Sequence, residues 1–130
     1  MKAFVPCALF TVWGATAALA QAQGDYPATL FCEAGGGAGP IRHSFIVAIA
    51  GGRATYAIRA LDGSESGTGS LAGSRLVVTA TGRQGGTAYT ARYAGEVGGR
   101  GGTLTGSRTL GTGARAVTRA CQFVLGDGRN

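Results

Sequence analysis

The sequence predicts an all-β fold behind an N-terminal signal helix: one antiparallel meander of about eight short strands, rolled into a small closed or nearly closed barrel. A two-layer sandwich is the alternative. Three observations carry this. Short runs of β-branched and aromatic residues alternate with glycine throughout residues 28–125. No apolar pattern of helical period survives past the first twenty residues. Cys32 and Cys121 stand near the two extremities of the strand-forming region. A bond between them makes the first and last strands neighbours, and in an eight-stranded meander that requires closure.

Taken in order, residues 28–34 form the first strand, with Leu30 and Cys32 on one face. A loop, Gly35-Gly36-Gly37-Ala38-Gly39-Pro40, leads to the most apolar strand, 41–50, where Phe45, Val47 and Ile49 face one way and Ile46 and Ala48 the other. Gly51-Gly52 suits a two-residue hairpin, because glycine reaches positive φ without steric cost. Residues 53–61 follow, with Tyr56 and Ile58 on one face, and Asp62-Gly63 signals the next turn. Strands 66–71 and 75–81 are joined by Gly73-Ser74, and a loop is expected over 82–86. Residues 87–97 alternate cleanly, with Tyr89, Ala91, Tyr93 and Val97 inward and Thr90, Arg92 and Glu96 outward. Strands 103–110 and 114–125 complete the set, and Val117, Cys121, Phe123 and Leu125 share a face. Arg119 has the parity of Cys121, so it points into the barrel mouth or over its rim. A barrel of this size is filled by its own side chains or holds one small ligand, and the many small residues leave both open.

The ends set the compartment. Residues 1–20 read as a secretory signal peptide: one cation at Lys2, an apolar run, and a small-x-small close with cleavage near Ala20 or Ala22. A retained membrane anchor is the competing reading, and Pro6, Thr11 and Thr16 weaken it. Residues 21–27 are then a flexible mature N-terminus and 126–130 a tail. Without the leader the chain has no expected membrane span, and its basic residues are all arginines, exceeding the acids by five. An oxidising compartment favours the Cys32–Cys121 disulfide. Closing so long a loop stabilises the fold by about 4–5 kcal/mol in the chain-entropy view.

Few chemistries find their residues here. His43 is the only histidine, and it stands next to Ser44 without a nucleophile elbow around it. One histidine and two paired cysteines do not make a zinc site, and the acids lack calcium-loop spacing. No catalytic, metal or cofactor residues are therefore assigned. Gly98-Gly99-Arg100-Gly101-Gly102 reads as a flexible hairpin loop with an exposed cation, and no nucleic-acid partner is expected. The segment Gly-x-Leu-x-Gly-Ser-Arg occurs twice, ending at Arg75 and Arg108. Its first copy has turn chemistry, and its second falls within a strand, where glycine marks a bulge. Arg75, Arg100, Arg108 and Arg119 are the candidate anion-binding residues, since the planar guanidinium fork matches carboxylate and phosphate. Arg92 is expected to spend its charge on Glu96 along its own strand.

Phe31-Cys32 near the mature start, the glycine-punctuated strands and the closing Arg119-Ala120-Cys121-Gln122-Phe123 resemble small exported β proteins of Gram-negative bacteria. More loosely, the layout is similar to the periplasmic inhibitors of C-type lysozyme, which implies a small disulfide-bearing barrel. That family's Ser-Gly-x-x-Tyr loop has only a longer stand-in here, Thr81-Gly82 through Tyr89, so no site residues carry over. The expected function is a periplasmic or secreted, non-enzymatic binding or inhibitor module for an acidic partner: an acidic envelope glycan, an anionic lipid headgroup or an acidic protein. A structural envelope protein without a specific ligand is the alternative, and a hydrolase comes third.

Overall fold

A computed structural model describes residues 22–35 and 38–128. The signal segment, with Cys7, lies outside the described residues, as do 129–130. Eight strands follow one another as β1 (Gly24–Cys32), β2 (Ile41–Ala50), β3 (Arg53–Ala60), β4 (Gly63–Ala72), β5 (Arg75–Gln84), β6 (Thr87–Gly98), β7 (Gly101–Leu110) and β8 (Val117–Leu125). Each pairs antiparallel with the next, and β8 returns to β1, closing the barrel. Cys32 faces Cys121 across the β1–β8 ladder, and the two are joined at an S–S distance of 2.08 Å. Closure and crosslink thus meet at one residue pair.

Of the residues expected to share the inner face, Leu30, Val47, Ile49, Tyr93 and Phe123 are almost wholly buried, and Tyr26, Leu76, Val78 and Leu104 join them in the core. Each such apolar side chain contributes about 1.5–3 kcal/mol relative to exposure. A glycine-rich chain fills its interior by setting large rings over glycines. Gly67 lies opposite Tyr56 and Gly82 opposite Tyr89, and a methyl group on either glycine would run into the ring. Phe45, Tyr56, Tyr93 and Phe123 form a ring cluster at mid-height, with centroids 5.0–5.3 Å apart. The interior is packed with side chains rather than hollow.

Several boundaries differ from expectation. β1 begins at Gly24, so residues 24–27 are strand rather than a flexible lead-in. Pro27 is tolerated because it stands at the very end of the β1–β8 ladder, where its missing N–H costs one terminal bond while its carbonyl still takes Gly126 N–H (2.7 Å). The β3–β4 turn is Leu61-Asp62, one residue earlier than the Asp-Gly signal, and Gly63 pairs with Ala60. β5 runs on to Gln84, and only Gly85-Gly86, both at positive φ, make the turn. A short 3₁₀ turn, Gly113–Arg115, takes the place of the expected start of β8. Gly106 marks no bulge. Register runs through it unbroken, opposite Tyr93 and Cys121, and glycine is required because β6 backbone at Arg92 lies where a side chain would go.

Closure is uneven. The β2–β3 ladder consists of Ala48↔Thr55, Ile49↔Ala54 and Ala50↔Arg53 and stops there. Above it, β2 keeps its pairing to β1 as far as Ile41, and β3 its pairing to β4 as far as Ala60. The ladder ends where the ring cluster begins, at Phe45 and Tyr56. Ile41, His43 and Phe45 share the inward parity of Val47 and Ile49 yet are only half-buried.

Candidate functional site

A polar cluster lies inside the upper half of the barrel, and an arginine-bearing outer face surrounds it. "Upper" denotes the end carrying the β1–β2, β3–β4, β5–β6 and β7–β8 connections.

Glu65 points inward from β4 and is 3% exposed. Tyr56 Oη donates to its Oε2 (2.5 Å), and Tyr89 Oη (2.7 Å) and Arg108 Nη2 (2.9 Å) donate to its Oε1. Tyr93 Oη lies 3.3 Å from both oxygens. These partners come from β3, β6 and β7, so one carboxylate ties three separate strands to β4. Burial, and then the charge of Glu65, push the hydroxyls of Tyr56, Tyr89 and Tyr93 well above the ordinary tyrosine range. Arg108 also donates to Gln84 Oε1 (3.0 Å) and lies over the Tyr89 ring, 4.1 Å from its centroid. Arg119, 2% exposed, donates Nε to Glu33 O (2.7 Å) and Nη2 to Gly39 O, pinning both ends of the β1–β2 connection. Burial first, and then the neighbouring Arg108 charge, lower the Arg119 pKa.

Chemically this cluster is a lock. The Glu65 oxygens are occupied by four donors, which leaves the carboxylate nothing to offer a substrate as a base. The crevice reaching it, lined by Ile41, His43, Ile58, Gln84, Tyr89 and Arg108, has about 10 Å³ of free volume, the room of one water. His43 faces this crevice, while its neighbour Ser44 faces solvent, so the two are not set against one another. Among the described residues no three of His, Cys, Asp and Glu gather as metal ligands.

The four candidate arginines do not assemble as a set, and only Arg108 and Arg119, cross-strand partners, come together. Arg75 and Arg100 stand exposed at the lower end, and Arg108 and Arg119 are buried in the upper half. Arg75 pairs with Glu96 (3.6 Å), which also accepts from Ser74 Oγ (2.5 Å). Glu96 therefore serves its cross-strand partner Arg75 rather than Arg92. The two Gly-Ser-Arg copies do different work: the first turns a hairpin, and the second sends Arg108 inward to Glu65. Glu65 itself escapes the sequence reading because the expected strand began one residue after it. Its alternation with Gly67, Gly69 and Leu71 was the available signal.

The outside of β3–β6 is largely polar, while Phe31, Ile46, Leu61 and Val124 stand exposed elsewhere. Thr55, Ser66, Thr68, Thr79, Thr81 and Thr90 cover the outside of β3–β6 and line shallow grooves. No helix among the described residues is long and apolar enough to cross a membrane. Above the threonines, Arg59 and Arg83 flank Ser64 on one cross-strand row. Arg83 is oriented by Gly86 O (2.7 Å). Arg42 stands outward on β2, across the unpaired upper gap from Arg59. Strand parity alone does not show which outward cations share a row, so nothing local in the sequence marks these three.

No family model, curated protein or solved structure matches the chain. Fold and surface define a class: a small, disulfide-closed antiparallel barrel with a Glu65-centred polar cluster inside its upper half and arginines on the outer face around it.

Proposed function

We propose that this chain is an exported, non-enzymatic binding or inhibitor module for an acidic ligand or envelope macromolecule. The observation that carries the reading is the Arg59–Ser64–Arg83 row: two exposed guanidinium groups on either side of a hydroxyl, above a threonine-lined groove. Such a row offers charge-assisted, fork-shaped donors to carboxylate, sulfate or phosphate. The interior takes up Glu65 with Arg108, which leaves exposed Arg42, Arg59, Arg83 and Arg115 at the upper end against Glu33 and Asp62. Periplasmic or secreted localisation is part of the proposal, supported by the leader-like N-terminus and the formed disulfide.

The test is capture of Gram-negative envelope fractions by the mature, oxidised protein at low and moderate salt, beside the variant R59E/R83E. Capture of a discrete partner that weakens with salt and is lost in the variant is the expected result. Capture unaffected by the variant, or none at either salt, rejects the reading. The second reading, a structural envelope protein without a specific ligand, draws on one observation: Arg75 and Arg100 lie at the opposite end from Arg108 and Arg119, so the basic residues do not converge on a single pocket.

A further inference from the structure

The unpaired upper stretch between β2 and β3 has a consequence for the kind of partner. In an antiparallel ladder, alternate residues turn their N–H and C=O toward the same neighbour. The Gly51-Gly52 hairpin closes on Ala50↔Arg53, so Ala50 and Ala48 turn their backbone groups toward β3. The same alternation aims those of Ile46, Ser44 and Arg42 the same way, where no ladder partner meets them. Across the gap, Ala57 and Arg59 present theirs toward β2 by the same rule, since the hydrogen bond from Leu71 N–H to Gly52 O sets the phase of the β3–β4 ladder. All five residues are exposed. The gap is also apolar on its floor. Ile41 and Phe45 are half-buried there, and Ile46 is 55% exposed beside it. An unpaired strand edge of this kind is a template for another strand, and it bears neither a proline nor a bulge that would block one.

We propose that the upper β2 edge is an acceptor for one extended strand: an acidic peptide segment of a partner protein, added alongside β2 as the upper end of β3 moves aside, since the crevice between them holds about one water as it stands. Main-chain hydrogen bonds to Arg42, Ser44 and Ile46 hold the segment, as in other strand-addition complexes. The free edge spans residues 41–47, about 23 Å at the usual strand rise, which fits a segment of five to seven residues. Alternate side chains of the segment then fall on the two faces. Apolar ones cover Phe45 and Ile41, and acidic ones meet Arg42 and Arg59 on either side of the gap. His43 lines the inner face and Asp62 the upper end, so carboxylates are favoured toward the middle of the edge rather than at its top. A second copy of this chain fits poorly, because it would set Arg42 and Arg59 against the same cations. The inference rests on the binding-module reading and gives its acidic partner a shape.

A seven-residue randomised peptide library, selected against the full oxidised chain, tests this. Enriched sequences are expected to alternate Asp or Glu with apolar residues. Binding of the synthesised winner should slow amide exchange at Arg42, Ser44 and Ile46. Methylating alternate backbone nitrogens of that peptide should weaken it by about tenfold or more, the effect of losing two main-chain hydrogen bonds. The R42E/R59E variant should shift selection to Lys- or Arg-bearing peptides. No enrichment, enrichment of neutral or basic sequences by the wild-type chain, or binding without protection of those three amides overturns the proposal. Salt-sensitive envelope capture without such protection sinks the strand acceptor and leaves acidic-ligand binding standing. Protection by an acidic peptide with no envelope capture keeps the strand acceptor and rejects the Arg59–Ser64–Arg83 row as a site for envelope macromolecules.

Discussion

Glu65→Ala is the substitution whose effect follows most directly from the barrel interior. It leaves the Arg108 guanidinium buried with Gln84 as its remaining hydrogen-bond partner. Tyr56 and Tyr93 lose their acceptor, while Tyr89 keeps a 3.3 Å contact to Ser64 O. Removing one member of a buried ion pair costs about 3–5 kcal/mol, because the other charge stays behind uncompensated. Each orphaned hydroxyl adds about 1–3 kcal/mol until water reaches it. A domain of this size holds only about 5–15 kcal/mol in all. A loss of at least about 4 kcal/mol is expected, which lowers the urea midpoint by about 2 M at an ordinary denaturant slope. Urea unfolding of the oxidised protein, followed by circular dichroism and tyrosine fluorescence, reads this directly. The double variant E65L/R108M should recover the ion-pair part of the loss, since a buried pair can be exchanged for apolar residues at little net cost, while the hydroxyls of Tyr56 and Tyr93 stay without their acceptor. A Glu65→Ala loss under about 1 kcal/mol at unchanged slope would refute the reasoning, because the four donors would then not depend on the carboxylate.

Further outcomes follow from the same contacts. Removing the crosslink in C32A/C121A should cost about 4–5 kcal/mol, measured by the same urea titration under non-reducing conditions. Tyr56, Tyr89 and Tyr93 are held protonated in the fold above their ordinary range. Below about pH 10 both states keep these protons and stability does not change on their account; above it only the unfolded chain releases them, so stability falls as pH rises. The slope is about 1.4 kcal/mol per pH unit for each tyrosine, and Tyr56→Phe should remove about a third of it in alkaline unfolding curves. Gly67→Ala should cost about 1–3 kcal/mol by overpacking against the Tyr56 ring, which is confined by Phe45 and Phe123. By contrast, Arg75→Ala should change stability by less than about 1 kcal/mol, since its pair with Glu96 is solvent-exposed.

Much of the fold was legible because strand parity is a local property. Phe45, Val47 and Ile49 on β2, Tyr89, Ala91, Tyr93 and Val97 on β6, and Cys121, Phe123 and Leu125 on β8 all face inward as their alternation requires. Closure was legible because Cys32 and Cys121 carry the parity that lets them meet. The upper site was not. Arg108 reads as an exposed member of a repeated Gly-Ser-Arg, and only the placement of β4 beside β3 and of β6 beside β7 brings Tyr56, Tyr89 and Tyr93 around Glu65 to receive it. Glu65 on β4 and Arg108 on β7 are separated by two strands and 43 residues and meet only across the interior of the closed barrel, which composition does not encode. The incomplete β2–β3 ladder was equally hidden. Gly51-Gly52 signals a hairpin, but how far it zips depends on the bulk of Phe45 and Tyr56 at the point where the ladder ends.

The most direct measurement of the edge on which partner recognition depends is native-state amide exchange of the free, oxidised chain. An edge unpaired above Ala48 requires the amides of Arg42, Ser44 and Ile46 to exchange about a hundredfold faster or more than those of Ala48 and Ala50, which are paired to β3. Equal protection at all five positions would mean that β2 and β3 are zipped to the top, and that no strand can be accepted between them.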